Sequence, residues 1–285
     1  MFERIATGWE LVQQSYRVLK LDKELLLFPV LSGIACLLVL ASFAVPLWMT
    51  GALEEATRDR DNAFQSVLTY VVLFAFYFVN YFVIIFFNSA LVGCAVIRLK
   101  GGNPTVGDGI GAAMARLPQI AGWALVSATV GLILKGLERN SKGIGRFIVG
   151  LLGVGWSIMT FFVIPVLVVE QKGPIAAIQR SIEVMKRTWG ESLTARFGIG
   201  LITFLLCLVG VVPIGLGVMA MASQMVAVGI ALVVVGILFI LAVSLVTSAL
   251  NSIILAALYI YAAEGEIPRQ FDSSILRSAF GPKHV

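Results

Sequence analysis

Residues able to do acid–base, nucleophilic or metal chemistry are sparse in this chain, and their positions limit what they can do. The single histidine, His284, is the penultimate residue, and one imidazole cannot build a zinc site that needs three or four protein ligands. Cys36, Cys94 and Cys207 each lie inside an apolar run, where a thiol behaves as a small hydrophobe. Neither a disulfide framework nor a metal cluster is expected of them. Gly107, Gly109 and Gly111 form a glycine-rich run, but no strand precedes it and no lysine follows it, so it is no phosphate loop. No His, Asp, Glu or Cys–base pair is placed for catalysis. The chain is expected to have no enzyme activity, no cofactor, no bound metal and no nucleic-acid partner.

The elements that hold these residues explain the scarcity. Of 285 residues, 59% are hydrophobic and 13% charged, against about 25% charged in a typical soluble domain; mean hydropathy is +0.96. Every Asp, Glu, Lys and Arg falls outside the long uncharged stretches 25–53, 62–97, 117–134, 147–169 and 197–263, the last long enough for two spans. A spanning helix needs roughly 20 apolar residues, and in oil its backbone must satisfy its own polar groups. The expected fold is all-α: a polytopic integral membrane bundle of about six transmembrane helices, with amphipathic helices lying at the cytoplasmic interface. The chain reads as one membrane domain, 1–285, with an amphipathic helix over 1–23, a six-span bundle over 25–263 and a cytoplasmic tail over 264–285.

Spans are expected at about 25–49, 66–97, 117–135, 147–169, 197–217 and 226–262. The acidic residues Glu3, Glu10, Asp22 and Glu24 are unlike the basic start of a signal peptide, so the first run is expected to remain as a span. In the last stretch a short turn near Ala220–Gln224 separates two spans, with Pro213, Gly215 and Gly217 loosening or ending the first of them. Spans two and six are over-long and must tilt, break or project beyond the bilayer. With both termini inside, cytoplasmic segments carry 15 of the 21 Lys and Arg residues, which favours that orientation by the positive-inside rule in a bacterial cytoplasmic membrane. One hairpin opposes it. Lys135, Arg139, Lys142 and Arg146 form a basic loop that this topology places outside.

Four segments beside the spans read as interfacial helices. Phe2, Ile5, Trp9, Val12, Tyr16 and Leu19 recur at helical spacing, with Glu3, Arg4, Glu10, Gln13, Arg17 and Lys20 opposite. Such a stripe suits the headgroup region. After span four, Pro174 opens a helix with Ile175, Ile178, Ile182, Met185 and Trp189 on one face and Arg180, Lys186 and Arg187 as its cations. Thr105 and Asp108 have capping-box spacing ahead of a third, glycine-weakened helix, and a short fourth starts at Asp272. Arg180, Lys186, Arg187, Trp189, Trp9 and Arg17 are therefore the candidate contacts to anionic lipid or to a partner. The competing reading is that these helices only connect and orient the spans.

Inside the spans no ionisable side chain remains, which weighs against proton-relay transport. The weakly polar set Asn80, Asn88, Ser89, Ser248, Asn251 and Ser252 either packs helices closely or lines a pathway. A faint internal echo joins NSALVGCAVIRLKGGNP (88–104) to NSIILAALYIYAAEGEIP (251–268), with one inserted residue. It marks either a repeat or two similar helix exits.

The segments GWELVQQSYRVLKLDKELLLFPVLSG, NPTVGDGIGAAMARLPQIAGWALVSATVG and PVLVVEQKGPIAAIQRSIEVMKRTWGE together resemble a bacterial family of six-span membrane proteins of unknown function. The last, through Glu170, Gly173, Pro174, Ala177, Arg180, Ser181 and Trp189, is also similar to an element of the membrane domain attached to some glycerophosphodiester phosphodiesterases. Neither resemblance supplies an activity, and no phosphodiesterase domain is present to carry one over. The expected role is a non-catalytic membrane module that organises anionic lipid, or a partner protein, as a homo-oligomer or with a membrane partner. The competing expectation is a channel or carrier for ions, lipids or small molecules, lined by spans two and six.

Overall fold

The computed structural model describes residues 2–49, 63–187 and 191–272, and among them there is no strand. The helices are α1 (Phe2–Leu21), α2 (Leu27–Met49), α3 (Ala63–Leu99), α4 (Val106–Met114), α5 (Leu117–Asn140), α6 (Ile144–Met159), α7 (Pro174–Arg187), α8 (Glu191–Ala222) and α9 (Val226–Tyr259). Single turns of tighter or wider helix join them at Lys23–Leu26, Val166–Glu170 and Ile260–Glu264. Six segments are long and apolar enough to cross a membrane: Lys23–Met49, Thr69–Leu99, Leu117–Asn140, Ile144–Glu170, Thr203–Ala222 and Val226–Glu264. The protein is thus an all-α chain with six candidate spans. The last segment has 39 residues, about 58 Å at 1.5 Å per residue, nearly twice the hydrocarbon thickness of about 30 Å.

Two compact units divide the described chain. The first is drawn from Met1–Pro29, Ala95–Pro104 and Arg187–Val285. Here α1 packs against α8 and α9. Burial in α9 is lopsided: between Val226 and Ser248 only Gly229 and Gly236 are buried, whereas Ala249, Leu250 and most residues from Ser252 to Ile260 are. The over-long helix therefore runs first through a largely exposed stretch and then into packed protein. Leu11, Val18, Leu25 and Phe28 are buried in the same unit.

The α8–α9 hairpin closes on glycines. A Cβ at Gly217 would lie 2.6 Å from the Gly229 carbonyl oxygen, and one at Gly236 would lie 2.8 Å from the Gly210 carbonyl oxygen. The pairs Gly210–Gly236 and Gly217–Gly229 sit seven residues apart on both helices, the spacing that keeps one helix face on its neighbour. Small residues let backbones meet in lipid, where no hydrophobic force drives helices together. Sequence alone had Pro213, Gly215 and Gly217 loosening or ending this helix near residue 217; α8 instead continues to Ala222 with Pro213 inside it. Gly217 is a contact, not a stop. The turn falls at Ser223–Met225, with Gln224 left-handed at φ 64°, inside the region expected for it.

The second unit is drawn from Val30–Cys94 and Thr105–Lys186. Its core gathers Ala90, Leu91 and Cys94 of α3, Ile120, Trp123 and Ala124 of α5, Phe162 and Leu167 beyond α6, and Ala177 and Val184 of α7. No residue of α6 itself is buried, although Trp156 stacks on Trp123 at 5.9 Å. The fourth span expected over 147–169 falls within the candidate span Ile144–Glu170, but it is not one uninterrupted helix. It breaks at Thr160–Phe162, resumes at Val163–Pro165 and widens into a π turn over Val166–Glu170. Pro165 is the physical cause, since its ring clashes with the carbonyl four residues back, that of Phe161. At the break the buried Phe162 N–H donates to the Ser181 hydroxyl of α7 at 3.0 Å. An unmet buried donor costs about 1–3 kcal/mol, so this bond holds α7 to the broken helix.

Candidate functional site

Of the helices expected at the interface, α1 and α7 each bury a face that only partly matches the expected stripe. On α1 the stripe read from sequence was Phe2, Ile5, Trp9, Val12, Tyr16 and Leu19, of which the side chains of Phe2 and Ile5 lie outside the described residues. Leu19 is buried, beside Leu11, Ser15 and Val18, and Val12 is half-buried, while Trp9 and Tyr16 remain 48% and 46% exposed. On α7 the buried residues are Ala177, Ser181, Val184 and Met185, and Ile175 is 63% exposed. The periodicity of large apolar residues caught Leu19 and Met185 of the packed faces but otherwise fell on the flanks; the packed faces combine aliphatic residues with the small Ser15, Ala177 and Ser181.

The cations fall in two classes. Arg17 on α1 and Lys186 on α7 are exposed, each beside its apolar flank. Arg180 is committed within the chain: it donates to Glu170 at 2.8 Å and to Glu183 at 3.2 Å, while Lys172 pairs with Glu170 at 2.7 Å. Its role is to fasten α7 to the π turn. Arg187 closes α7, and Trp189 lies outside the described residues, as does the short helix expected after Asp272.

Two of the six weakly polar residues satisfy their side chains locally. The Asn80 amide donates to Phe76 O at 2.9 Å and the Ser252 hydroxyl to Ser248 O at 3.2 Å, both within their own helices. Ser89 is buried with an unpaired hydroxyl, Asn88 and Ser248 are half-buried, and Asn251 is exposed. Among the described residues no group of three or more His, Cys, Asp or Glu side chains is close enough to hold a metal.

Sequence reasoning missed a polar cluster in the first unit. Arg98, at the end of α3, forms a two-pronged ion pair with Asp22 and donates to Asn103 at 2.6 Å. Lys100 pairs with Glu264 at 2.7 Å. The Gln270 amide donates to Arg98 O at 2.9 Å, and Arg269 N–H to Leu99 O at 3.3 Å. The partners are up to 172 residues apart in sequence, so no local pattern announces them.

One local signal was present. Span two ends in left-handed Gly101 (φ 93°) and span six in left-handed Gly265 (φ 73°), the glycine stop common at helix C-termini. Each is followed three residues later by a proline, Pro104 and Pro268. Gln171 (φ 58°) ends span four in the same way, three residues before Pro174. One exit geometry is used three times, and the two-segment echo is part of it. The residue inserted in the second copy coincides with the π turn Ile260–Glu264, which holds one residue more per turn than α-helix. With that residue absorbed, Lys100 and Glu264 occupy matching positions, and they bridge each other.

After the first exit, α4 opens with the full capping box. The Thr105 hydroxyl accepts from Asp108 N–H at 3.2 Å, and the Asp108 carboxylate accepts from Thr105 N–H at 2.8 Å. The backbone bond from Thr105, then its hydroxyl, hold the Asp108 carboxyl below the ordinary aspartate value. A folded-state pKa below the unfolded one contributes stability above the unfolded value and loses it as pH falls through the folded value. The Thr105 amide resonance should therefore titrate with a midpoint below that of an unstructured aspartate, as α4 frays from its first turn. A midpoint at or above the ordinary value would mean that the box is not formed.

Comparison with known proteins supplies a family but no activity. No curated protein matches the chain, and no likeness to glycerophosphodiester phosphodiesterases emerges. The model of a family of unknown function, DUF6159, matches residues 67–268, from the start of span two through the exit of span six, and the chain belongs to that family.

Proposed function

We propose that the protein is a non-catalytic membrane module that organises anionic lipid at the cytoplasmic face of a bacterial inner membrane, with both termini inside. One observation carries this reading. α1 and α7 each bury one face (Leu11, Ser15, Val18 and Leu19; Ala177, Ser181, Val184 and Met185) and leave large apolar residues exposed beside exposed basic ones: Trp9 and Tyr16 with Arg17, and Ile175 with Lys186. A mere linker needs no such second flank. An amphipathic helix in the interface does, since its apolar side enters the acyl boundary and its cations meet phosphate.

The test is lipid retention by the purified protein in nanodiscs of phosphatidylglycerol and phosphatidylcholine, read by native mass spectrometry. Charge reversal at Arg17, Lys186 and Arg187 should lower retention of phosphatidylglycerol by about fivefold per site, since a basic side chain near an anionic leaflet is worth about 1 kcal/mol. Arg180 is left intact, because a carboxylate there would face Glu170 and Glu183. Unchanged retention would reject the reading. The channel alternative predicts an ion conductance in proteoliposomes that Asn88→Leu or Asn251→Leu abolishes, and the self-satisfied bonds of Asn80 and Ser252 speak against such a path.

A further inference from the structure

The basic hairpin between α5 and α6 stands apart from everything above. The uncharged run ahead of Lys135 covers 117–134 and the run after Arg146 covers 147–169, about 27 and 35 Å of helix. Both runs start from the packed end of the second unit, where α4 and α7 lie, so the hairpin tip falls at the opposite headgroup layer. Lys135, Arg139, Lys142 and Arg146 are all exposed, with Glu138 as the only acid between them. Left-handed Gly143 (φ 56°) and the bond from Gly145 N–H to Lys142 O at 3.1 Å fold the tip back at once. The cations of both helices are thereby held in one short turn. Among the described residues, none of Arg139, Lys142 and Arg146 has a carboxylate partner. Lys135 is fixed at the inner edge of the group: its ammonium donates to the Tyr77 hydroxyl at 2.5 Å and lies 4.6 Å from the centre of that ring, as a snorkelling lysine does at a membrane boundary.

We infer that this tip is a phosphate-binding site for anionic lipid headgroups in the leaflet opposite α4 and α7. Positive charge on the translocated side is disfavoured by the rule that orients membrane proteins, and here three guanidinium or ammonium groups stand there with one acid among them. Anionic lipid matches them in charge and in depth. Arginine suits the role because its planar fork meets phosphate oxygens in pairs. The inference rests on the lipid-organising reading and extends it to a second leaflet, through residues that reading does not use.

The experiment replaces Arg139, Lys142 and Arg146 together by glutamine in the full chain and measures phosphatidylglycerol retention over phosphatidylcholine in nanodiscs, beside the Arg17, Lys186 and Arg187 reversal. Selectivity should fall by about fivefold for each cation removed, and Glu138→Gln should raise it, a gain that misfolding cannot mimic. Millimolar inorganic phosphate should leave retention unchanged; displacement by it would overturn the lipid assignment. If the glutamine variant retains lipid like the parent while the α1 and α7 variant loses it, the tip site is refuted and the broader reading stands. A parent protein with no preference for phosphatidylglycerol refutes both.

Discussion

Replacing Gly229 by leucine should prevent the last hairpin from closing. A Cβ there would stand 2.5 Å from Met221 Cγ, 2.6 Å from Gly217 O and 3.0 Å from Met221 N. Met221 Cγ belongs to a flexible side chain, but the other two atoms are backbone of a packed helix and cannot step aside. Relief requires the helices to separate, and separation at Gly229 also pulls on the Gly210–Gly236 contact one heptad away. Overpacking costs about 1–3 kcal/mol when side chains can adjust, and more is expected where only backbone can yield. Thr203 and Thr247, whose hydroxyls lie 3.1 Å apart, offer a reporter. With both changed to cysteine and the three native thiols replaced by alanine, a disulfide should form readily across the parent hairpin and slowly or not at all once Gly229 is leucine. Equal cross-linking in both would show that the seam tolerates the side chain.

The second large effect belongs to Arg98 and Asp22. Their side chains are 16% and 9% exposed, and the pair joins the end of α3 to the end of α1. Removing one partner strands the other charge among buried neighbours, which costs about 3–5 kcal/mol, whereas replacing both by apolar groups is often neutral. Arg98→Leu should therefore lower the thermal unfolding midpoint in detergent sharply, and Asp22→Leu on that background should restore much of the loss. Such recovery is the signature of a coupled pair. Two independent, additive losses would instead mean that each residue acts through other contacts, Arg98 through Asn103 and Asp22 through the backbone turn to Leu25.

The contrast between these sites explains what could be read in advance. Exclusion of charge is a property of long runs, so the spans, the excess length of α3 and α9 and the turn near Gln224 were legible. The Thr105–Asp108 box was legible because its partners are three residues apart. The packed faces of α1 and α7 were legible only through Leu19 and Met185, since Ser15, Ala177 and Ser181 contribute little to any hydrophobic pattern, while Trp9 and Tyr16 dominate it from the flank. Glycine at 101 and 265 advertised two of the three exits, but Gln171 adopts the same backbone without the telltale residue. Nor could the sequence tell that Gly217 meets a carbonyl across a hairpin rather than ending a helix. The break before Pro165 was visible in principle, yet its repair by Ser181 depends on a helix that returns from beyond the span. Asp22 and Arg98 lie 76 residues apart, and only the folded chain shows that they meet.

The lopsided burial of α9 also means that its apolar residues answer to two different solvents in succession. From Val226 to Ser248 most side chains are exposed, so exchanges among leucine, valine and isoleucine there should alter little except along the hairpin seam, where Val233, Phe239 and Ile240 lie against Gly217 and Gly210. From Ala249 to Ile260 the surroundings are fixed side chains at near-crystalline density, where one methylene too many or too few is felt. A helix of uniform greasiness thus conceals a sharp change in how much variation it can bear.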